Sequence, residues 1–219
     1  MTTQLDPDGA ARRARAAHRS RQLLDAAARL MEREGSEAVS MQALATEAGV
    51  SVGLIYRYFG SKDEVLLAVI TDVLDAFALA VPAAIEEAGE DPVRQLAAAF
   101  SAYCRVIDEH RHAAVLTYRE SKSLDERGRA RIKQREIETS QPLRDAIGAG
   151  VAIGRLVAAE PDLVAYNLLL LAHAWALKHW YFERTMSLAD YTAAQLALAL
   201  RSVLAPGLEN EYADLLAQA

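Results

Sequence analysis

A glycine-centred break between two short helical runs constrains this chain more than any other feature. Residues 39–62 read Val-Ser-Met-Gln-Ala-Leu-Ala-Thr-Glu-Ala-Gly-Val-Ser-Val-Gly-Leu-Ile-Tyr-Arg-Tyr-Phe-Gly-Ser-Lys. Ser40 can cap a helix over about Met41 to Ala48, which Gly49 ends. Ser51 can cap a second, from Val52 to Tyr58. On that second helix Val52, Ile55 and Phe59 share one face and are expected to pack inward. Gly53, Leu54, Arg57 and Tyr58 then point outward, with Tyr56 on the flank. A helix-turn-helix of this kind places the start of its second helix in the major groove of DNA.

Each outward residue has a task in such a groove. Gly53 lets the backbone approach the bases. Arg57 can donate a bidentate pair to guanine or bind phosphate. Tyr56 and Tyr58 can donate phenolic hydrogen bonds to phosphates. Ser40 and Ser51 sit at helix N-termini, where free amides and the helix dipole favour an anion. Lys62 stands at the start of the following helix, placed to share a phosphate with its amides.

The charge distribution agrees with contact at one end. The net charge is −6, yet residues 1–65 carry nine basic and nine acidic groups and sum to zero. Within them Arg12, Arg13, Arg15, Arg19 and Arg21 form a basic arm without an acid, suited to the backbone or the minor groove of a duplex. Residues 1–18 lack apolar periodicity and are expected to be mobile.

The remainder reads as helix after helix. Apolar residues make up 52% of 219, Ala and Leu dominate, and Pro and Gly are scarce, which predicts an all-α chain. A first helix runs from about Arg19 to Gly35. Ser61 to Glu64 forms a capping box that opens a long helix through Phe77, with Pro82 kinking or ending it. Further helices are expected from Pro92 to about Asp108, from His110 to Lys122, and from a Ser123–Glu126 capping box to about Ala149. Two more run over Pro161–Arg184 and from Ser187 to Pro206. The total is about nine, with a final turn possible.

Several function classes find no support. There is no phosphate loop, no Gly-x-Ser-x-Gly turn and no His-Glu-x-x-His pair. The histidine pairs His110/His112 and His173/His179 diverge on a helix, and no metal set or cofactor site emerges. Cys104, the single cysteine, reads as a packed thiol in a reducing compartment. The longest apolar stretch, Leu163–Leu177, is interrupted by Asn167 and His173 and too short for a membrane span. The first thirty residues lack the apolar core of a signal peptide, so a cytoplasmic, non-membrane protein without catalytic residues is expected. A helical homodimeric interaction protein without sequence-specific DNA binding is the alternative; it would lack the salt-dependent DNA affinity that phosphate contacts impose.

Residues 20–66 resemble the N-terminal domain of the TetR family of transcriptional regulators. Ala26-Ala27, Leu30, Gly35, Val39-Ser40, Leu44-Ala45, Ala48-Gly49-Val50-Ser51, Gly53, Ile55-Tyr56, Tyr58-Phe59 and Ser61-Lys62 carry the resemblance. It implies a homodimeric repressor, with residues 1–65 binding a near-palindromic operator and residues 66–219 dimerising and binding a small-molecule effector. It implies DNA contacts at Ser40, Gln42, Ser51, Val52, Gly53, Leu54, Tyr56, Tyr58 and Lys62, beside Arg57 read from its position. Val52 and Leu54 depart from the polar residues often found there, which leaves methyl contacts with thymine.

For pairing, Asp162–Arg184 is apolar nearly all round and Leu188–Leu204 offers Ala193, Leu196, Ala197, Leu200 and Leu204. Two such helices from each copy suit a four-helix interface. For sensing, a mostly apolar cavity with a few polar anchors is expected from Tyr103, Ile107, Leu116, Tyr118, Arg119, Trp175 and His179. An amphipathic ligand fits them, its apolar tail inside and its charge near the arginines. The run Val115–Glu120 with His179–Tyr181 loosely resembles family members that answer to acyl-coenzyme A esters, which implies an acyl-coenzyme A or other apolar acid derivative.

Overall fold

The computed structural model describes residues 7–157 and 160–217, with side chains from residue 19 onward. Among these residues the chain is all helical. Its helices are α1 (Pro7–Glu34), α2 (Met41–Glu47), α3 (Val52–Tyr58), α4 (Lys62–Glu87), α5 (Pro92–Glu109), α6 (Arg111–Glu120), α7 (Glu126–Ala152), α8 (Pro161–Leu177), α9 (His179–Phe182), α10 (Leu188–Val203) and α11 (Ala213–Leu216). Three short-spaced elements, α1 to α3, form a head. The other eight build a larger body, with α4 running from one into the other.

The sequence pattern places several boundaries differently. It gives about nine helices; the additional ones are the single turns α9 and α11. Helix α1 begins at Pro7 instead of Arg19, because Ala and Arg are strong helix formers and extend the helix without needing an apolar stripe. The side chains of Arg12, Arg13 and Arg15 lie outside the described residues. Pro82 does not end α4: the carbonyl it frees belongs to Ala78, and both residues are on the solvent side, where water can bond that carbonyl. The cap of α7 is Asp125 and not Ser123. Asp125 accepts from the Gly128 amide at 2.7 Å, while the Ser123 hydroxyl donates to the Glu120 carbonyl at 2.8 Å. The run after Pro161 breaks at Leu177 and resumes as α9.

One apolar core joins the two parts. Leu30, Met31, Leu44 and Ile55 of the head belong to the same buried cluster as Phe100, Ile107, Leu143 and Trp175 of the body. Helix α4 bridges them. It buries Val65, Leu66, Val69 and Ile70 near the head, then Val73, Leu74, Phe77 and Val81 deeper in the body. Its length and apolar composition alone would suffice to cross a bilayer, but here the apolar face is packed against α1, α5, α6 and α7. Each large side chain so buried contributes roughly 1.5–3 kcal/mol.

The turn between α2 and α3 depends on Gly49, whose φ of 65° is left-handed. A Cβ there would meet nothing within 4 Å, so Gly49→Ala costs backbone strain and no clash. We expect that variant to lose about 1–2 kcal/mol in urea unfolding with its helix content unchanged. An unaltered midpoint would mean that the turn relaxes into another conformation.

Candidate nucleic-acid interface and body cavity

Local hydrogen bonds fix the head. The Ser40 side chain accepts from the Ala43 amide at 3.1 Å and that of Ser51 from the Leu54 amide at 3.2 Å. A hydroxyl that accepts in this way keeps its own proton to donate. The turn closes through Gly49 N–H to the Thr46 carbonyl at 3.1 Å and Val50 N–H to the Ala45 carbonyl at 2.9 Å. Ile55 of α3 is buried beside Leu44 and Ala45, and Val52 and Phe59 are half-buried on the same side.

What α3 presents to solvent is Gly53, Tyr56, Arg57 and Tyr58, with Tyr56 55% and Tyr58 39% exposed. Leu54, outward by spacing, is half-buried. Gln42 and both capping serines are exposed at the same end. Arg33 pairs with Glu47 of α2 at 3.3 Å and with Glu34 at 3.1 Å. Lys62 donates to the Glu37 carbonyl at 2.7 Å, a bond between α4 and the α1–α2 loop that spacing does not reveal. Two of its three donors remain.

The body holds a cavity of about 140 Å³ between α4, α5, α6, α7 and α8. Ile70, Val73, Leu74 and Phe77 form its α4 wall, and Leu169 and Leu170 lie on α8. Of the residues that the sequence marks for ligand binding, Tyr103, Ile107 and Tyr118 line it. The others lie elsewhere. Leu116 is fully buried in the packing around α6. Arg119 crosses to α1 and donates to the Glu32 carbonyl at 2.8 Å. Trp175 donates to Asp108 at 2.7 Å and packs against Phe182 and Tyr191. His179 contacts Arg111 and lies 3.1 Å from Glu183. Trp175 and His179 thus belong to a polar and aromatic joint where α5, α6, α8, α9 and α10 meet. The sequence reading misses the α4 and α8 walls, Ala114 and Thr117 of α6, and the polar residues Glu136, Thr139, Tyr166 and His173. The signal was present on α8: Tyr166, Leu169, Leu170 and His173 recur at i, i+3, i+4 and i+7, one helical stripe.

The polar groups of the wall are mostly paired. Tyr103 donates to the Thr139 carbonyl, and its ring lies 4.3 Å from that of Phe77. Tyr118 and His173 Nδ1 are hydrogen-bonded at 2.7 Å. Burial lowers the His173 pKa to about 4, so its imidazole is neutral near pH 7. Burial raises Tyr103, and it raises Glu136 despite the opposing Lys133 charge.

Comparison with known proteins agrees with this two-part organisation. Residues 23–69 match the family model described as bacterial regulatory proteins, tetR family, and residues 89–203 match a tetracyclin repressor-like C-terminal domain. The HTH-type transcriptional regulator HbdR of Aromatoleum sp. (strain CIB) is 39% identical over 186 residues, 85% of this chain and 81% of HbdR. The chain belongs to the TetR family. This TetR protein is accordingly a transcriptional regulator and not an enzyme. Among solved structures, the TetR regulator PfmR from Thermus thermophilus superposes with a TM-score of 0.73 at 27% identity, over 82% of this chain and 97% of PfmR. AibR, solved in complex with isovaleryl coenzyme A and operator DNA, shares the fold with a TM-score of 0.70 at 20% identity, over 82% of this chain and 97% of AibR.

The His173 environment has a consequence for stability. Its folded pKa of about 4 lies below the ordinary value of 6.5, so the unfolded chain binds more protons between those limits. Stability contributed by the neutral imidazole is present above pH 6.5 and falls as the pH drops toward 4. Between pH 7 and pH 5 the loss is roughly 2 kcal/mol. Glu136 and Asp72, both raised by burial, act in the opposite sense. Urea unfolding of the wild type and His173→Gln at both pH values separates these contributions: the variant is expected to lose less stability on acidification, and parallel losses would contradict the assignment.

Proposed function

We propose that this TetR-family protein is a homodimeric repressor, in the cytoplasm, released from a near-palindromic operator by a small apolar or amphipathic effector. Residues 1–65 bind the DNA, and residues 66–219 pair two copies and hold the effector. The observation that carries this reading is the shared use of α4, which starts beneath the α2–α3 unit and forms a wall of the cavity.

For DNA, the contact surface is Ser40, Gln42, Ser51, Val52, Gly53, Leu54, Tyr56, Arg57, Tyr58 and Lys62. Arg57 is the one charged side chain on α3 and is exposed. Val52 and Leu54, half-buried, offer methyl groups toward thymine. For pairing, Leu163, Leu170, Leu177 and Leu198 are exposed on α8 and α10. Between these helices runs a groove that includes Val164, Leu168, Leu171 and Ala199. An apolar face of this kind on a four-helix geometry favours a second copy of the chain.

Effector binding reaches the head by two routes. One is α4 itself. The other is α6, which lines the cavity with Ala114, Thr117 and Tyr118 and holds α1 through two polar contacts and the α1–α2 loop through a third. His112 pairs with Glu32, Arg119 bonds the Glu32 carbonyl, and Ser36 donates to Glu120 at 2.6 Å. A ligand that shifts α4 or α6 changes the separation of the two recognition helices, which must be about 34–36 Å to enter successive major grooves. It acts only by favouring the unfit separation, and a near-complete switch needs a difference of about 5.5 kcal/mol, shared between two sites. The apolar wall suits an apolar acyl group, and an acyl-coenzyme A ester of the kind bound by AibR is the effector class we place first.

Selection of bound duplexes from random DNA tests the reading: a two-fold-symmetric motif is expected, and recovery of no motif at low salt favours the interaction-protein alternative. Arg57→Ala should relax the preference at one or two base pairs, costing roughly 1–3 kcal/mol there. Tyr58→Phe should weaken binding to every sequence alike, since a phosphate contact carries no base information. Leu198→Arg should sediment as a folded monomer; a variant that remains dimeric places the interface elsewhere.

A further inference from the structure

The cavity has a closed floor and an open mouth. Ile70, Val73, Phe77, Tyr103 and Ile107 are buried along its inner wall, on α4 and α5. Four other lining residues reach the surface: Tyr118 of α6, Glu136 of α7, and Tyr166 and Leu170 of α8. Tyr166 is 46% and Leu170 55% exposed. Small-molecule sites ordinarily bury roughly 70–90% of a ligand's surface. An apolar group resting on this inner wall would leave one side against water, because in a single copy the four mouth residues face solvent.

The α8 part of that mouth coincides with the pairing face. At about 100° of turn per residue, Leu163, Tyr166, Leu170 and Leu177 fall within an arc of roughly 60° on α8. All four are exposed. Tyr166 stands in this strip between Leu163 and Leu170, so a partner seated on the leucines has to pass over it. Leu170 also lines the groove between α8 and α10, beside Leu171, Leu198 and Ala199, and thus belongs to cavity and groove alike. The Arg144 guanidinium lies over the Tyr166 ring at 5.3 Å, and its Nε is 3.0 Å from Asp162, which holds the ring at the lip.

We propose that the effector site is completed by the partner copy. The leucine face of the second chain closes the α8 lip at Tyr166 and Leu170, and an apolar side chain from that face becomes the roof over the effector. The proposal rests on α8 and α10 as the pairing face and on the cavity as the effector site. A two-fold interface is isologous, so both mouths are closed at once. The exposed residues available for the roof, Leu163, Leu170, Leu177 and Leu198, match the apolar floor. An effector under that roof touches both copies and acts directly on their relative orientation. Binding and pairing are then linked: a molecule that fills the completed site favours the dimer, and a lone chain holds it less tightly.

Thiol protection in the full-length chain tests this without an effector. Cys104 is fully buried, so the wild type supplies the background rate. Tyr166→Cys is labelled with a neutral polyethylene-glycol maleimide, with exposed Thr46→Cys as the reference, and each protein is sedimented. In the dimer the Tyr166→Cys thiol is expected to react roughly tenfold more slowly than the reference, and addition of Leu198→Arg should restore the reference rate. Leu163→Arg, on the same strip, is the second monomerising variant. Toluene, matched to a cavity close to the ~150 Å³ that holds benzene, should bind the folded monomer roughly tenfold more weakly than the dimer by calorimetry. A dimer whose Tyr166→Cys thiol reacts like the reference, or a dimer and monomer of equal toluene affinity, would overturn the proposal and leave the pairing face standing. Sedimentation of the wild type as a monomer would overturn the pairing reading, and no toluene binding by the dimer would overturn the cavity reading; either removes the proposal with it.

Discussion

Helix α4 must satisfy two sets of neighbours with one continuous face. Val65, Leu66 and Val69 close the bottom of the head, where α1 supplies Leu30 and Met31 to the same core. Two turns later Val73, Leu74 and Phe77 become wall for the cavity, and the Phe77 ring packs at a tilt against that of Tyr103 of α5. A helix is stiff along its axis because every turn is hydrogen-bonded to the next. Protein cores are packed too densely to absorb a displacement locally. Movement of the cavity wall therefore has to appear at the head or be resisted by it.

Polar contacts reinforce the same coupling at its edges. Helix α6 has cavity residues and α1-binding residues on different sides of ten positions, Arg111 to Glu120. On the other side Arg135 of α7 pairs with Asp75 of α4. These pairs are partly exposed and individually worth little. Their value is in orientation: they fix which way α1 and α4 sit on the body, while the apolar core supplies the stability.

Much of the head is legible from sequence because its signals are local. A serine three residues ahead of the amide it caps, a glycine at a left-handed turn, and Ile55 at the buried position of α3 all act over a few residues. The long-range partners are not encoded in that way. Lys62 reaches Glu37 across a gap of 25 residues, and Arg119 reaches Glu32 across 87. Spacing on α6 alone cannot tell a ligand-facing arginine from one that ties α6 to α1. The cavity lining is a product of five helices packing together, so aromatic richness near Trp175 and His179 pointed to the end of α8 and to α9, away from the cavity. The stripe through Tyr166 and His173 was the better guide, since periodicity reports which residues share a face and composition does not. Pro82 shows the converse: a strong local breaker is overridden where the carbonyl it leaves unpaired, that of Ala78, faces water.

The central claim, that α4 makes head and body one cooperative structure, can be tested without effector or operator. Both tryptophans, Trp175 and Trp180, lie in the body, and Cys104 is buried with its thiol pKa pushed up to about 12 by burial. A fluorophore on Thr46→Cys, exposed on α2, therefore reports the head while tryptophan emission reports the body. Urea unfolding followed by both signals should give one midpoint and one slope. A head signal that is lost at lower urea than the tryptophan signal would mean that the two parts fold separately, and that α4 does not transmit what happens in the cavity.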